Sequence, residues 1–419
     1  MLTTRLPTRL PTRLQIEWAP SLDRWRFSIG RLWRGRGPGG PARAGQWVKI
    51  SKPSPTDLPL SPRTPLNTDS HDTAGRPGRR QLLRVALALT LPAVGQPVLV
   101  QPAHAARSKP LLVGGLPVTC NLTLPVACVA RASSNAADRT GSAPKHEFEY
   151  SKYNGWPEIK ESLMTGRIQA AYMLAPLVMD LADKKIPVKI VSLGHRSGAV
   201  IMVRSDSPHQ RFKDLAGKRI AVPSRFAVDY LFLRRMLARE GMTPKQVQIV
   251  EMAPPDMPAA LYARAVDAYC TGEPFGAAAQ RAGYARVLRM TRDEWRNYIC
   301  CVLTVREELI RDNRPLVQDL VDHVLGAGQW LDQKQDNRNK AVSIAAGRKF
   351  FNQDPNIIRF VMENPVDRVT YGDLRMIRAE FEELMQLSIE AGTIKNPIAY
   401  EKYMDESFAK AARPATIAL

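Results

Sequence analysis

From residue 110 onward the apolar positions fall into short runs cut by proline, glycine and polar residues, and the period of the runs alternates. PLLVGGLP (110–117) is a continuous apolar run of strand length, and HEFEYSKY (146–153) alternates with period two. QAAYMLA (169–175), VKIVSLG (188–194), AVIMVRS (199–205), KRIAVPS (218–224), QIVEMA (248–253), VDAYCTGE (266–273), ARVLRM (285–290) and CVLTVRE (301–307) read as further strands. Between them lie helical segments. One opens at Thr119 and Asn121, one at Gly155-Trp156-Pro157 and one at Pro176; RFKDLAG (211–217) is short, and MPAALYARA (257–265) follows later. The clearest helix runs from Phe226 to Glu240. There Val228, Phe232 and Met236 recur at i+4, as do Leu233 and Leu237, with charged residues elsewhere and Gly241 as the stop. Beyond Glu308 the pattern predicts helices to the end, with loops at Asn313-Arg314-Pro315 and Asn364-Pro365.

Strands that alternate with helices predict an α/β protein with largely parallel sheets flanked by helices. Such sheets bind ligands at the carboxyl ends of their strands.

The first hundred residues have a different texture. Residues 1–105 carry 16 Lys/Arg against 5 Asp/Glu and 14 of the 33 prolines, so they hold +11 of the formal net charge of +20. The basic balance is therefore concentrated outside the alternating region, and nucleic-acid binding is not expected. Residues 1–70 have no sustained period; they read as an over-extended translation start or a disordered basic arm. Within 71–105, Gly78-Arg79-Arg80-Gln81-Leu82-Leu83-Arg84 leads into VALALTLPAVGQPVLV and then Ala103-His104-Ala105. These are the parts of a secretory signal peptide, and the paired arginines resemble a twin-arginine export signal. Cleavage near Ala105 and a periplasmic protein are expected. The apolar run, broken by Pro92, Gln96 and Pro97, is a poor transmembrane helix.

The sequence shows no GxSxG, HExxH or GxxxxGK[ST] after residue 105, and its five cysteines, Cys120, Cys128, Cys270, Cys300 and Cys301, show no zinc-site spacing. No enzyme activity, metal or cofactor is expected, and the cysteines are expected to be mostly buried and unpaired.

Several ordered segments resemble the nitrate/sulfonate/taurine class of ABC-transporter substrate-binding proteins. They are GWPEIKESLMTGRIQAAYMLAPLVMDL (155–181), FKDLAGKRIAVP (212–223), the Cys270-Thr271-Gly272-Glu273-Pro274-Phe275 turn, Asp293-Glu294-Trp295 through Val302-Leu303, and AGQWLDQKQDNRNKA (327–341). The resemblance covers about residues 110–400. It implies a two-lobed periplasmic-binding-protein fold of type II, each lobe a mainly parallel sheet flanked by helices. The lobes it implies are 108–196 plus 302–419 and 197–301. It further implies a small-molecule solute, an ABC permease and ATPase as partners, and a monomer. Cys301, Ser197-Gly198-Ala199 and Val228 stand where the nitrate-binding branch has anion-contacting groups, so a larger anionic organic ligand, sulfonate- or carboxylate-like, is expected. Alternatives on the same fold are a pyrimidine-precursor synthase of thiamine biosynthesis and a ligand-sensing module for a membrane receptor.

The expected ligand residues come from turns at strand ends. Trp156 offers a flat wall, with core packing as its alternative. Thr119 and Asn121 precede a helix and either hold an anion or cap the helix. Tyr172 offers a phenol at a strand end. Ser197 lies at the first crossover, beside His195 and Arg196. Ser224 and Arg225 stand between strand and helix, where the guanidinium would grip a carboxylate or sulfonate or else lie in solvent. Thr271, Gly272 and Glu273 form a turn open to close backbone approach, and Glu273 alternatively ties the lobes or caps the following helix.

Overall fold

The computed structural model describes residues 109–138, 146–296 and 298–419. The basic arm and the export signal expected over 1–105 lie outside the described residues. Twelve strands are found in these residues: β1 (Leu111–Gly115), β2 (Phe148–Lys152), β3 (Ala170–Leu174), β4 (Val188–Leu193), β5 (Arg196–Ser197), β6 (Ala199–Arg204), β7 (Arg219–Val222), β8 (Gln248–Glu251), β9 (Ala268–Gly272), β10 (Ala285–Met290), β11 (Cys301–Arg306) and β12 (Val369–Thr370).

They form two five-stranded sheets, ordered β2-β1-β3-β11-β4 and β10-β6-β9-β7-β8, and a two-stranded ladder of β12 with β5. In the first sheet β1 runs parallel to β2 and β3, whereas β11 runs antiparallel to β3 and β4. In the second, β7 runs parallel to β8 and β9, whereas β6 runs antiparallel to β9 and β10. Each sheet therefore has four strands in one direction and one reversed. The reversed strand is in both cases the first after the chain crosses between sheets, so it enters from the opposite side.

The hydrophobic runs are the buried strands. All five residues of β3 and the first five of β11 are buried, as expected where helices cover both faces. The helix Val228–Arg239 buries Val228, Leu231, Phe232 and Met236 on one side, and Gly241 ends it at φ 70°, a left-handed conformation that glycine takes without steric cost. Pro176 lies in the first turn of the helix Ala175–Asp183, where its missing N–H costs nothing. RFKDLAG yields only a single 3-10 turn, Phe212–Leu215.

The expectation of helices to the end is wrong at one place. Val369–Thr370 pairs antiparallel with Arg196–Ser197. A two-residue strand has no period to detect; this one forms because the crossing segment presents an unpaired edge to it. Three buried arginines hold the surrounding loop. Arg196 donates to the carbonyls of Asp373 and Arg375 at 2.7 and 2.8 Å and pairs with Glu380 at 3.0 Å. Arg338 pairs with Asp332 and donates to the carbonyl of Val366. Arg368 points the other way, into the junction between the sheets.

Candidate functional site

The junction is built where strand ends of the two sheets meet. The Thr119 amide donates to the Glu273 carbonyl at 2.8 Å and its hydroxyl to the same oxygen at 3.1 Å. Thr119 thus follows β1 of the first sheet and is bonded to the residue that follows β9 of the second. The Glu273 carboxylate is fully buried and is met by the Arg368 guanidinium, whose Nε donates to Oε1 at 2.7 Å, while Oε2 accepts the Ala277 amide at 2.8 Å. Arg368 also donates to the Asn364 carbonyl at 2.8 Å and lies over the Phe360 ring. Tyr371 donates its hydroxyl to the Thr119 carbonyl at 2.8 Å. Every carboxylate oxygen in this seam has a partner. Glu273 therefore joins the strand ends of the two sheets and caps the helix Phe275–Arg281; both of its carboxylate oxygens are committed to protein contacts.

The other residues predicted for a ligand fall into three groups. Asn121, Trp156 and Thr271 are buried and each holds a polar atom with no hydrogen-bond partner among the described residues: Nδ2, Nε1 and Oγ1. Asn121 is turned inward by the Leu116 amide, which donates to its Oδ1 at 2.9 Å. Neither Thr119 nor Asn121 caps the helix, which starts at Thr123 behind Leu122. A buried donor without a partner costs about 1–3 kcal/mol, so such atoms in a native fold call for a ligand or a solvent molecule.

The second group is buried and satisfied. Tyr172 shares a 2.7 Å hydrogen bond with Thr123, whose hydroxyl also reaches the Gly194 carbonyl at 3.2 Å. Burial raises the phenol well above its ordinary range, so it stays protonated. Gly194 is required beside this ring, because a Cβ there would lie 2.5 Å from Tyr172. Ser197 bonds the Thr291 hydroxyl at 3.0 Å and sits at φ 58°, followed by Gly198 at φ 95°. Cys120 packs against both Gly198 and Gly272, the latter half-buried.

The third group, Ser224 and Arg225, has partners of its own. The Ser224 hydroxyl accepts the Phe226 amide at 3.2 Å. Arg225 is about half exposed, pairs with Glu251 of β8 at 3.3 Å and stacks near Tyr230. The structure does not bring its guanidinium to Asn121, Trp156 or Thr271.

Sequence reasoning missed a cluster on the crossing segments. Residues 194–198 and 298–301 run side by side: the Gly194 amide donates to the Cys301 carbonyl at 3.1 Å, and the Ser197 amide to the Tyr298 carbonyl at 3.2 Å. This brings His195 against Cys300 and Cys301, with Asp229 reaching in from the start of the helix Val228–Arg239. Burial pushes the Asp229 carboxyl up to about 7, and the nearby His195 opposes the shift only partly. Asp229 Oδ1, His195 Nδ1 and the Tyr298 hydroxyl have no partners among the described residues. All five cysteines are buried and free. The adjacent Cys300-Cys301 pair was the only signal of this cluster in the sequence; His195 lies too far away in the chain to be linked to it by spacing.

Comparison with known proteins places this architecture. The chain is 26% identical over 253 residues to the nitrate/nitrite-binding protein NrtA of Nostoc, covering 55% of this chain and 56% of that one. It is 24% identical over 219 residues to the taurine-binding periplasmic protein of Escherichia coli, covering 50% of this chain and 66% of that one. The chain thus spans between half and two thirds of the length of these two relatives. Among solved structures, the ligand-binding component of an ABC-type import system from Staphylococcus aureus, with zinc bound, superposes with a TM-score of 0.65 at 26% identity, covering 74% of this chain and 100% of that one. The desulfurization enzyme DSZB shares the fold at a TM-score of 0.51 and 18% identity, over 72% of this chain and 97% of that one. The two-lobed fold is that of the periplasmic binding proteins. Residues 108–346 match the NMT1-like family, and the chain belongs to that family.

Proposed function

We propose that the protein is the extracytoplasmic solute-binding component of an ABC importer, capturing a small anionic organic solute between its two lobes. The observation that carries this reading is the set of buried, unpartnered polar atoms at the junction. Asn121 Nδ2 and Trp156 Nε1 are N–H donors beside the first sheet, and Thr271 Oγ1 lies on the second. Neutral donors in a buried site can stabilise the oxygens of a sulfonate or carboxylate without a fixed cation. In keeping with this, Arg368 is neutralised by Glu273 and Arg225 by Glu251.

The relatives named for nitrate and taurine support an oxyanion as ligand. Between those, the flat buried ring of Trp156 favours an organic anion. Lobe 1 is assigned to 108–196 plus 302–419 and lobe 2 to 197–301, because the chain passes between sheets at Arg196–Ser197 and again at Cys300–Cys301. A membrane permease and an ATPase are the partners this role requires, and a relative named as a nitrate import ATP-binding protein supports the latter. The protein acts in the periplasm after export, as a monomer, and returns its ligand unchanged; likeness to DSZB concerns the fold. Native mass spectrometry of the protein purified from its own host tests the reading. One unmodified anionic solute per chain is expected; recovery of a chemically converted solute overturns it.

A further inference from the structure

The crossing segments hold a group of side chains that the proposed solute site does not use. Cys300 and Cys301 are neighbours in sequence, and their Sγ atoms lie 3.9 Å apart. Two thiolates on one tetrahedral zinc, each at about 2.3 Å, lie about 3.8 Å from one another. The pair is therefore already spaced for a single ion. A ring nitrogen of His195 completes a triplet whose ligand atoms all lie within 4.8 Å of one another, and all three residues are buried.

Two further observations point to a bound cation. His195 is 0% exposed, yet its Nδ1 has no partner among the described residues. Asp229 is 2% exposed with Oδ1 equally unpartnered, and its Oδ2 stands 4.0 Å from the Cys300 sulfur. Two sulfurs, an imidazole nitrogen and a carboxylate oxygen form a donor set that selects zinc over magnesium or calcium, which take oxygen ligands alone.

We propose that His195, Cys300 and Cys301 form a zinc site, with Asp229 as the fourth donor. Capture of Zn²⁺ by the two thiols releases two protons. In the metal-free ring, Nε2 accepts the Cys301 amide at 3.2 Å, so the ring proton sits on Nδ1. Coordination through Nδ1 moves that proton to Nε2 and gives up this long hydrogen bond. Because His195 lies on the first crossing segment and Cys300 and Cys301 on the second, the ion would staple the two segments where the lobes hinge. The site does not depend on which solute occupies the cleft.

Cobalt(II), an optical substitute for zinc, provides the test. The full chain, reduced and stripped with a chelator, is titrated with Co²⁺ without oxygen and then with Zn²⁺. One equivalent of Co²⁺ is expected, with a thiolate-to-cobalt charge-transfer band that zinc displaces. The band should vanish in Cys300→Ser/Cys301→Ser and persist in Cys128→Ser, and the affinity of His195→Ala should fall at least tenfold. No stoichiometric uptake by the reduced wild type overturns the proposal, as does cobalt bound without the thiolate band. Retention of the band in the double variant does the same. Protein that holds one copper or iron per chain and refuses zinc overturns the choice of metal. Should the double variant not fold, the wild-type stoichiometry and band still decide.

Discussion

Two buried polar regions lie close together in this protein and differ in one respect. In the seam between Thr119, Glu273 and Arg368, both carboxylate oxygens have protein partners, and the guanidinium is held by a carboxylate, a carbonyl and a ring. Asn121, Trp156, Thr271, His195 and Asp229 each keep a buried polar atom without a partner among the described residues. The first pattern holds a fold together. The second leaves polar atoms available to the proposed guest.

The largest effect that can break this comparison is in the seam. Arg368→Ala leaves Glu273 buried and uncompensated, and breaking such a pair costs about 3–5 kcal/mol. Urea unfolding should show a loss of that order; a change under about 1 kcal/mol would mean that the seam is not what joins the lobes.

Asp229 comes next, through pH. Its carboxyl sits at about 7 in the fold against an ordinary 3.8. The folded state thus holds the proton more tightly than the unfolded one, so this stabilisation is full at about pH 4 and is lost as the pH rises toward about 7. Burial raises the Asp229 pKa and His195 opposes the shift, while Cys270, Cys300 and Tyr298 face the same carboxyl. In the metal-free protein, Asp229→Asn, always neutral, should lose less stability than wild type between about pH 5 and about pH 8. Parallel pH profiles for the two proteins would show that Asp229 is ionised throughout.

Trp156→Ala tests the guest side. Removing a flat buried anchor should cost about 2 kcal/mol of solute binding, roughly a thirtyfold rise in Kd by calorimetry. Unchanged affinity with an intact fold would make Trp156 a core residue. Arg225→Ala should do least: an exposed pair contributes about 0–1 kcal/mol, so stability and solute affinity should barely move. A large loss of anion affinity would restore Arg225 to the site.

Much of the fold was legible because its strands are buried apolar runs of strand length and its main helix keeps a clean i+4 stripe. The small strand Val369–Thr370 was not, since its pairing with Arg196–Ser197 depends on an edge that exists only after the lobes are joined. Turns told which residues stand at strand ends, which is how Asn121, Trp156 and Thr271 came to be proposed. A turn does not say where a side chain points, and Arg225, at an equivalent turn, faces solvent and Glu251. Glu273 was visible as a candidate tie between the lobes, but its partner Arg368 lies 95 residues further on with no local mark. The cluster of His195 with Cys300 and Cys301 arises from two crossing segments aligned side by side, a relation that no spacing along one chain encodes.

The central claim is a clamp whose two lobes close on a solute, and an interlobe distance measures it most directly. Glu161 lies on the first-lobe helix Trp156–Met164 and Lys245 beside β8 of the second, and both are exposed. Spin labels on Glu161→Cys and Lys245→Cys report their separation by pulsed electron resonance, with and without the co-purified solute. The account predicts a broad or longer distance in the solute-free protein that collapses to one shorter distance at saturation. The same distribution in both states, with binding confirmed in the labelled protein, would contradict it.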